Sequence, residues 1–454
     1  MPSTLTFVQS NSSAGMYAAE PNSTCRVVEW CSFALLCALL MFGPLAFGAV
    51  EAWSSTVLHI GAAGLVVLWA VRQVLSGSMV IKKHPLMLPS ALFALLICLQ
   101  FALRIPPYPS DAVAGALNLL AYGMMMFAAS QLFMREEFLD RFMVVFTAFG
   151  FGLALFAAAQ HFSTPGKLYF SITPRHQGWV FGPYVNHNHY AGLMELITPI
   201  PLVLTLRTEN WSKRILLGFA TALMVSSVAL SGSRGGMIAV VFQLVFVSVA
   251  ALLRNKERRP LGALLVVAVA VAAMMTWMAG ANLQERMEST KKEFHANGDS
   301  AIIRLLIVKD SVELVKERPV LGWGLRMFPI AYPKYRTFYT NDFVNEAHND
   351  YVQYLVETGL VGFSIILFFI VALIRQSIGT VKAWQDRSDS AFRFAALTAC
   401  IGILAHSFID FNLQIPGNAA MFLVMCVIAA GSTAFGVDRA YYPIKQTVRT
   451  HSSC

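Results

Sequence analysis

Charged side chains are scarce in this chain. They make up 13% of its 454 residues, whereas hydrophobic residues make up 56% and the mean hydropathy is +0.59. A soluble domain carries roughly 25% charged residues, so the charged residues here are too few to cover a water-facing surface and a soluble enzyme is excluded. Because apolar stretches near the spanning length recur from Trp30 to Gly436, the composition predicts an all-α polytopic membrane protein.

The motifs of several enzyme and transporter classes are also missing. The sequence contains no GxxxxGK[ST] phosphate loop, no HExxH and no GxSxG, which argues against ATP-driven transport, zincin proteolysis and serine hydrolysis. Its 7 cysteines show no CxxC spacing, so neither a disulfide framework nor a zinc site is predicted. The net charge of +9 comes from short basic runs between apolar segments, which indicates membrane topology and not nucleic-acid binding.

Twelve apolar stretches are predicted to cross the membrane. They are Trp30–Val50, Thr56–Leu75, Leu86–Leu103, Val113–Leu132, Arg141–His161, Tyr190–Leu206, Ile215–Leu230, Gly235–Leu253, Leu261–Gly280, Asp350–Ile374, Ala391–Phe408 and Pro416–Gly436. Lys and Arg gather in alternate connections, and because basic short loops stay on the cytoplasmic side, both termini are expected inside. Residues 1–29 are expected to form a disordered cytoplasmic tail, residues 30–436 the membrane domain and residues 437–454 a second cytoplasmic tail.

A long connection over residues 281–349 is too polar to span the membrane and is expected on the outer side. Long loops on a compact protein are commonly functional. Within this loop, Ser300–Arg318 predicts an amphipathic helix that is capped by Ser300 and lies against the membrane surface. The aromatic stretch Gly322–Phe343 that follows is typical of interfacial sequence, with its rings at headgroup depth.

His348 is the first candidate for chemistry, in the segment NEAHNDYVQYLVETGLVG. Asn345 is the expected N-cap, which places His348 in the first turn of a span that enters from the outer side. The positive end of a helix disfavours imidazolium, and a neutral imidazole can accept a proton. The alternative is a histidine that is hydrogen-bonded at the headgroup boundary and has no part in catalysis.

Arg234 is the second candidate, in the segment SGSRGGMIAV. Two serines able to cap, an arginine and two glycines at the outer start of a helix predict an anion site, because free backbone N–H groups and a guanidinium bind phosphate together. The alternative is an arginine that reaches lipid headgroups.

Arg304 is the third candidate, one turn into the predicted surface helix and on the same outer side. Two guanidinium groups can hold both phosphates of a diphosphate and stabilise its charge as a leaving group. The alternative is an ordinary charged face, since Lys309 and Glu313 show that this helix carries i,i+4 ion pairs.

Other polar residues of the outer loops are candidates for substrate contacts. Those predicted to contact sugar or phosphate are Arg175, Asn186, Asn188, Arg326 and Asn349. His187 and His189 lie on a predicted coil without an adjacent carboxylate, which favours hydrogen-bonded loop structure over a metal site. Asp410 and Asn412 either steady a sugar or cap the last helix, and a cap is the default expectation.

In their order along the chain, the segments SGSRGG, RPVLGWGLRMFPIAYPKY and EAHNDYVQYLVETGLVGF resemble the O-antigen ligase family, and FGPYVNHNHYAGLMEL and HSFIDFNLQIPGNAAMF match its flanking segments. The resemblance runs from about Phe181 to Phe422. It implies a polytopic helical fold with a large periplasmic loop in the bacterial inner membrane. By position, the essential histidine of the family falls on His348, and its two essential arginines fall on Arg234 and Arg304.

The resemblance also implies a reaction: transfer of a glycan from undecaprenyl diphosphate to an acceptor hydroxyl in the periplasm, without nucleotide sugar, metal or other cofactor. Arg234 and Arg304 would hold the diphosphate, and His348 would orient or deprotonate the acceptor, with inversion of the anomeric carbon. The acceptor is a lipid-core sugar in a ligase, which is slightly favoured, and a second lipid-linked repeat in a polymerase. The rivals from other classes are a lipid-linked glycan flippase and a periplasmic diphosphate phosphatase. Membrane lipids are expected partners, and nucleic acid is not.

Overall fold

The structure is a computed structural model that describes residues 23–174, 179–254, 302–339, 343–431 and 439–443. The helices are α1 Ser23–Leu45, α2 Ala52–Leu75, α3 Met87–Ala102, α4 Pro109–Leu132, α5 Glu136–Ser163, α6 His187–Ile197, α7 Pro199–Arg207, α8 Trp211–Ser231, α9 Arg234–Arg254, α10 302–317, α11 Phe328–Ala331, α12 Asp350–Ala383, α13 Ser388–His406 and α14 Pro416–Ala430. Short 3-10 helices occupy Phe47–Ala49, Tyr332–Lys334 and Asn412–Gln414. The two strands are β1 Ser78–Lys82 and β2 Arg439–Pro443.

Most of these helices have the length and composition of membrane spans. Within the described residues, 9 helical segments are long and apolar enough to cross a membrane, and the shorter apolar helices α3 and α14 accompany them. The predicted all-α polytopic class is confirmed. Every predicted span falls on a helix or a helix pair except Leu261–Gly280, which lies outside the described residues. The predicted N-terminal tail is too long, because α1 already begins at Ser23.

The centre of the bundle is the span formed by α6 and α7. The two helices are separated at Thr198, because Pro199 begins α7 and a proline has no N–H to continue the helical ladder. From Asn188 to Ile197 every side chain of α6 is buried. A helix that is buried on all sides belongs inside a bundle and not at its lipid-facing surface, so α6 carries its polar residues into the protein interior.

The strands mark one end of the bundle, called here the strand end. β1 and β2 pair antiparallel, from Ser78 opposite Pro443 to Lys82 opposite Arg439. Part of the predicted C-terminal tail, Arg439–Pro443, is therefore a strand. Neighbouring helices hold β1 through the side-chain amides of Gln73, which accepts the N–H of Val80, and of Gln131, which accepts the N–H of Lys82.

A second hydrophobic core lies at the opposite end, called here the site end. It joins α10, through Ile307 and Leu314, to Trp323, Phe328 and Tyr332 of the aromatic stretch. These three rings are buried, so the prediction that the whole stretch lies at headgroup depth is wrong for them. Their burial follows from a large apolar area that α10 and the start of α12 cover together.

Two close backbone contacts hold this outer core to the membrane domain. Gly359 interrupts α12 with φ 63° and ψ −169°, and the freed N–H groups of Leu360 and Val361 donate to the carbonyls of Pro319 and Val320. A Cβ atom at Gly359 would lie 2.4 Å from the carbonyl oxygen of Val320, so a glycine is required there.

Candidate active site

The site is built around a turn at the site end of the bundle. α13 ends at His406, and the backbone N–H groups of Ile409 and Asp410 both donate to the carbonyl of His406. This turn buries the Asp410 side chain, of which 1% is exposed. Asp410 caps no helix, because α14 begins after Ile415 without a side-chain cap. The default expectation of a helix cap is therefore wrong.

Two of the predicted catalytic residues converge on this turn from separate segments. Arg304 of α10 donates from Nη1 to the carbonyl of Ile409 at 2.8 Å, and its Nη2 lies 3.9 Å from Oδ2 of Asp410. His348, which precedes α12, places Nδ1 3.7 Å from Oδ1 of the same carboxylate. The arginine, the histidine and the buried acid thus form one group of opposite charges.

The environment of Asp410 keeps it ionised. Burial alone would raise the pKa of this carboxyl, because a buried charge is poorly solvated. The polar interaction with His348 and the positive charge of Arg304 outweigh burial and hold the pKa of Asp410 well below its usual range. At neutral pH a full negative charge therefore stands between the guanidinium and the imidazole.

His348 stands in an unusual backbone conformation. Its φ is +50°, a region that residues other than glycine rarely adopt and that is enriched at functional sites. The expected cap and helical position are both wrong: Asn349, not Asn345, is the N-cap of α12, since its Oδ1 accepts the N–H of Val352. His348 lies just outside the helix, where its side chain is 28% exposed.

The start of α12 is fastened to the turn by two side chains. Asn349 donates from Nδ2 to the carbonyl of Phe408 at 2.9 Å, so both ends of its amide are used in holding the structure. Asp350 is 1% exposed; its carboxylate accepts the Ser407 hydroxyl at 2.8 Å and the N–H of Leu413 at 3.1 Å. These bonds fix the position of His348 relative to Asp410.

Arg234 begins α9 as predicted, behind a serine cap. α8 ends at Ser231 and is followed by Gly232, whose φ of +77° suits a glycine. Ser233 then accepts the N–H of Gly236 on its hydroxyl at 3.1 Å, which is the geometry of an N-cap. Arg234 is the first residue of α9 and is exposed.

The start of α9 borders the same turn as Arg304. A Cβ atom at Gly235 would lie 2.4 Å from Nε2 of His406 and 3.1 Å from Cδ1 of Ile409. Because the Ile409 carbonyl also receives Arg304, the helix that carries Arg234 and the helix that carries Arg304 both adjoin Ile409. The helix that begins with Arg234 therefore borders the turn on which Arg304 and His348 converge.

A buried contact between a histidine and a glutamate supports the turn from inside the bundle. His406 Nδ1 lies 2.8 Å from Oε1 of Glu195, and both side chains are almost fully buried. Gln243 of α9 donates to the backbone carbonyl of Glu195 at 2.8 Å. The pair links α6, α9 and α13 directly beneath the residues that face solvent.

The predicted histidine and asparagine contacts before the sixth span are mainly structural. Asn186 caps α6 by accepting the N–H of Asn188, and Asn188 itself is buried. Both histidines lie in the first turn of this helix and not on a coil: His187 bonds the carbonyl of Ser231 through Nδ1 at 2.8 Å. The His189 ring lies edge-on to Phe411, with centroids 4.9 Å apart. Within the described ranges no group of three or more His, Cys, Asp or Glu side chains is arranged to hold a metal ion.

Arg326 belongs to a second polar group on another side of the site end. It is exposed, has φ +59° and lies against α4, where a Cβ atom at Gly115 would be 3.2 Å from its Cγ. Burial and the negative charges of Glu357 and Asp350 raise the pKa of the Glu346 carboxyl, and the positive charge of Arg326 opposes this rise. Arg175, the remaining predicted contact, lies outside the described residues.

Several residues of this arrangement were not predicted as site residues. They are Asp410 at its centre and the supporting Asp350, Glu195 and His406. The sequence holds one signal for each acidic residue, namely a carboxylate in an apolar stretch or beside a candidate motif. The sequence does not show which residues these carboxylates contact, because the contacting residues are far apart along the chain.

Comparison with known proteins agrees with the resemblance inferred from the sequence motifs. Residues 219–367 match the family model described as O-antigen ligase, a range that includes Arg234, Arg304 and His348. No curated protein matches the chain. The matched range and the apolar helices together indicate polysaccharide biosynthesis and glycan transfer of the O-antigen ligase type in general terms. The chain is therefore a multi-pass membrane protein that contains a domain similar to the O-antigen ligase family at residues 219–367.

Proposed function

We propose that this protein is a glycosyltransferase of the bacterial inner membrane whose active site faces the periplasm. Its donor is a glycan carried on undecaprenyl diphosphate, and its acceptor is a hydroxyl group of a lipid-core sugar. The single observation that carries the proposal is the turn at residues 407–411, which brings Arg304 and His348 from separate segments onto Asp410. In such a group the arginine can bind a diphosphate, and the histidine can accept a proton from a hydroxyl nucleophile.

Arg234 and Arg304 bind the diphosphate in this mechanism. A guanidinium presents several N–H donors in a plane and grips phosphate oxygens bidentately. One N–H group of Arg304 donates to the Ile409 carbonyl, and other N–H groups of the guanidinium can donate to a ligand. The two positive charges stabilise the diphosphate as it leaves, so the reaction needs no metal ion.

His348 orients or deprotonates the acceptor hydroxyl. Its Nδ1 faces Asp410 at 3.7 Å, which favours the tautomer with a proton on Nδ1 and leaves Nε2 as the base. The separation is longer than a hydrogen bond, and such contacts commonly tighten when substrate binds. Attack by the hydroxyl forms the new glycosidic bond, breaks the bond to the diphosphate and inverts the anomeric carbon.

The second candidate is a polymerase, in which another lipid-linked repeat is the acceptor. Arg326 favours it, because this exposed arginine, which lies against α4, is a further cation at the site end. A second polyprenyl diphosphate would need a second basic position of this kind. The ligase remains the first proposal, since Arg304 and Gly235, the residue after Arg234, both adjoin Ile409, and two arginines suffice for one diphosphate.

Deletion of the gene separates the two candidates. We expect long glycan chains to accumulate on the polyprenyl carrier, because a ligase acts after polymerisation. Single repeat units on the carrier would instead identify a polymerase and overturn the first proposal. Glycolipid extraction followed by gel electrophoresis and mass spectrometry measures the chain length directly.

Thiol labelling tests the proposed sidedness. In a variant without native cysteines, Tyr339→Cys at the site end should react with an impermeant reagent added from the periplasmic side, since Tyr339 is 85% exposed. Lys213→Cys, on the exposed start of α8, should react only after the membrane is opened. The reverse pattern would place the site in the cytoplasm and exclude the proposed donor.

A further inference from the structure

A second charged group lies at the strand end, far from the site just described. It is called here the Glu29 cluster and consists of Glu29 of α1, Arg72 of α2 and Arg135 before α5. Arg72 Nε lies 3.1 Å from one carboxylate oxygen of Glu29, and Arg135 Nη1 lies 2.8 Å from the other. Two guanidinium groups share one carboxylate, so the cluster keeps an excess positive charge and N–H donors beyond those used on Glu29.

A half-open pocket adjoins the cluster. The two arginines of the cluster line it with Gln131, and an apolar wall includes Trp69 and Phe138. The indole N–H of Trp69 is buried and finds no acceptor in the part of the chain that the structure describes. Buried donors are normally satisfied, so this N–H points to a ligand that carries an acceptor oxygen.

The pocket lies beside a lipid-facing surface. On α2, the side chains of Val67, Val71 and Val74 are 60%, 42% and 72% exposed, which is typical of a helix face in contact with acyl chains. Arg72 lies in the last turn of the same helix, where a spanning segment reaches the depth of the headgroups. A ligand here meets cations at one end and an apolar helix face at the other.

We propose that this pocket binds the phosphate of an anionic lipid headgroup. Arg72 and Arg135 contact the phosphate oxygens, the Trp69 indole donates to an ester oxygen, and the acyl chains lie along α2. Basic pockets between spanning helices are a recognised way to bind such headgroups. The site is separate from the proposed glycan transfer, since α4 alone separates the two ends by 24 residues, or about 36 Å.

Lipid binding to the purified, delipidated full chain tests the proposal. Thermal unfolding is followed while phosphatidylglycerol is added in mixed micelles, with zwitterionic phosphatidylcholine as the lipid of zero net charge and inorganic phosphate as the soluble reference. We expect phosphatidylglycerol to stabilise the protein at concentrations where the other two have no effect. Arg135→Gln should weaken phosphatidylglycerol binding about fivefold, the worth of one basic residue near a membrane surface.

A substitution of the acidic residue distinguishes lipid binding from a purely structural role of the Glu29 cluster. Glu29→Gln should strengthen phosphatidylglycerol binding, because it removes the only negative charge of the Glu29 cluster, whereas a purely structural cluster would be weakened by both substitutions. Lys213→Gln, an exposed cation outside the pocket, is the matched control and should leave the affinity unchanged. Equal affinity in wild type, Arg135→Gln and Glu29→Gln overturns the proposal, and so does equal stabilisation by inorganic phosphate.

Discussion

The two ends of the bundle each bury a carboxylate between two basic side chains, but at different distances. At the strand end, Arg72 and Arg135 lie 3.1 and 2.8 Å from Glu29. At the site end, Arg304 and His348 lie 3.9 and 3.7 Å from Asp410. The first set has the geometry of formed ion pairs, and the second stops just short of hydrogen-bond distance.

The origin of the side chains explains this difference. Glu29 lies on α1, which packs against α2, the helix of Arg72, and contacts α5, which follows Arg135. Asp410 is on a turn, Arg304 is on the outer helix α10, and His348 is outside α12 in a rarely adopted conformation. The comparison teaches that the Glu29 cluster forms direct ion pairs and has N–H donors left over, whereas the side chains around Asp410 stand too far apart for direct hydrogen bonds to its carboxylate.

The largest effect should come from removing the proposed base. His348→Ala should lower glycan transfer by about 10²- to 10⁴-fold, the range that a general base contributes. Its side chain is 28% exposed and outside the helix, so expression and thermal stability should change little. Tyr339→Ala at the same end is the control. Wild-type turnover by the purified His348 variant would remove this residue from the mechanism.

Replacing either arginine by lysine should be the next most damaging change. Lysine keeps the charge but loses the planar set of donors, so Arg304→Lys and Arg234→Lys should each lower turnover about 100-fold. Lys309→Gln, an exposed cation on the same helix as Arg304, should behave as wild type. Near-full activity in an arginine variant would reduce that residue to a headgroup or topological charge.

Neutralising Asp410, the acid between Arg304 and His348, should lower turnover by a smaller factor. Asp410→Asn removes the charge that orients His348 and Arg304, and we expect a loss of about 10- to 100-fold, as for other side chains that orient a reacting group. The loss should appear in kcat more than in KM, because Asp410 is a positioning residue. A change confined to thermal stability, with kcat intact, would contradict this role.

A steric change beneath the site should act mainly through packing. Gly235→Ala places a methyl group 2.4 Å from Nε2 of His406, so we expect a loss of about 1–3 kcal/mol in stability with a fall in activity. Gly152→Ala is the matched control, because nothing lies within 4 Å of its added Cβ. Thermal unfolding of the two variants side by side measures the difference. Equal stability of the two variants would show that the start of α9 can move away from the turn without destabilising the protein.

Chelation should have the smallest effect of all. Two arginines serve the diphosphate in the proposed mechanism, so exhaustive treatment with EDTA should leave turnover unchanged. The measurement is the rate of transfer before and after dialysis. A loss that a divalent cation restores would show that the arginines do not replace a metal.

The spans could be predicted because each is encoded by its own apolar run. The outer core could not, because the burial of Phe328 and Tyr332 depends on α10 and α12, which cover them from distant parts of the chain. Helix caps show the same limit on a smaller scale. Asn345 and Asn349 are both acceptable caps by residue type, and contacts such as the bond from Asn349 to the Phe408 carbonyl accompany the one that is used.

The residues of the candidate site also divide into those that the sequence predicts and those that it does not. Arg234, Arg304 and His348 stand in recognisable motifs, and the structure places Arg304, His348 and the start of the helix of Arg234 around one turn. Asp410 resembles a helix cap in the sequence, and its role depends on partners that precede it by 62 residues or more along the chain. Side chains that act through long-range contacts carry no local pattern, so they emerge only from the fold.

Reconstitution of the purified protein with a defined undecaprenyl-diphosphate-linked glycan and a lipid-core acceptor tests the central claim most directly. The account predicts a new glycosidic bond of inverted anomeric configuration and one undecaprenyl diphosphate released for each bond formed, both lost in His348→Ala. Movement of the glycan across the membrane without a new bond, or release of free phosphate, would contradict it.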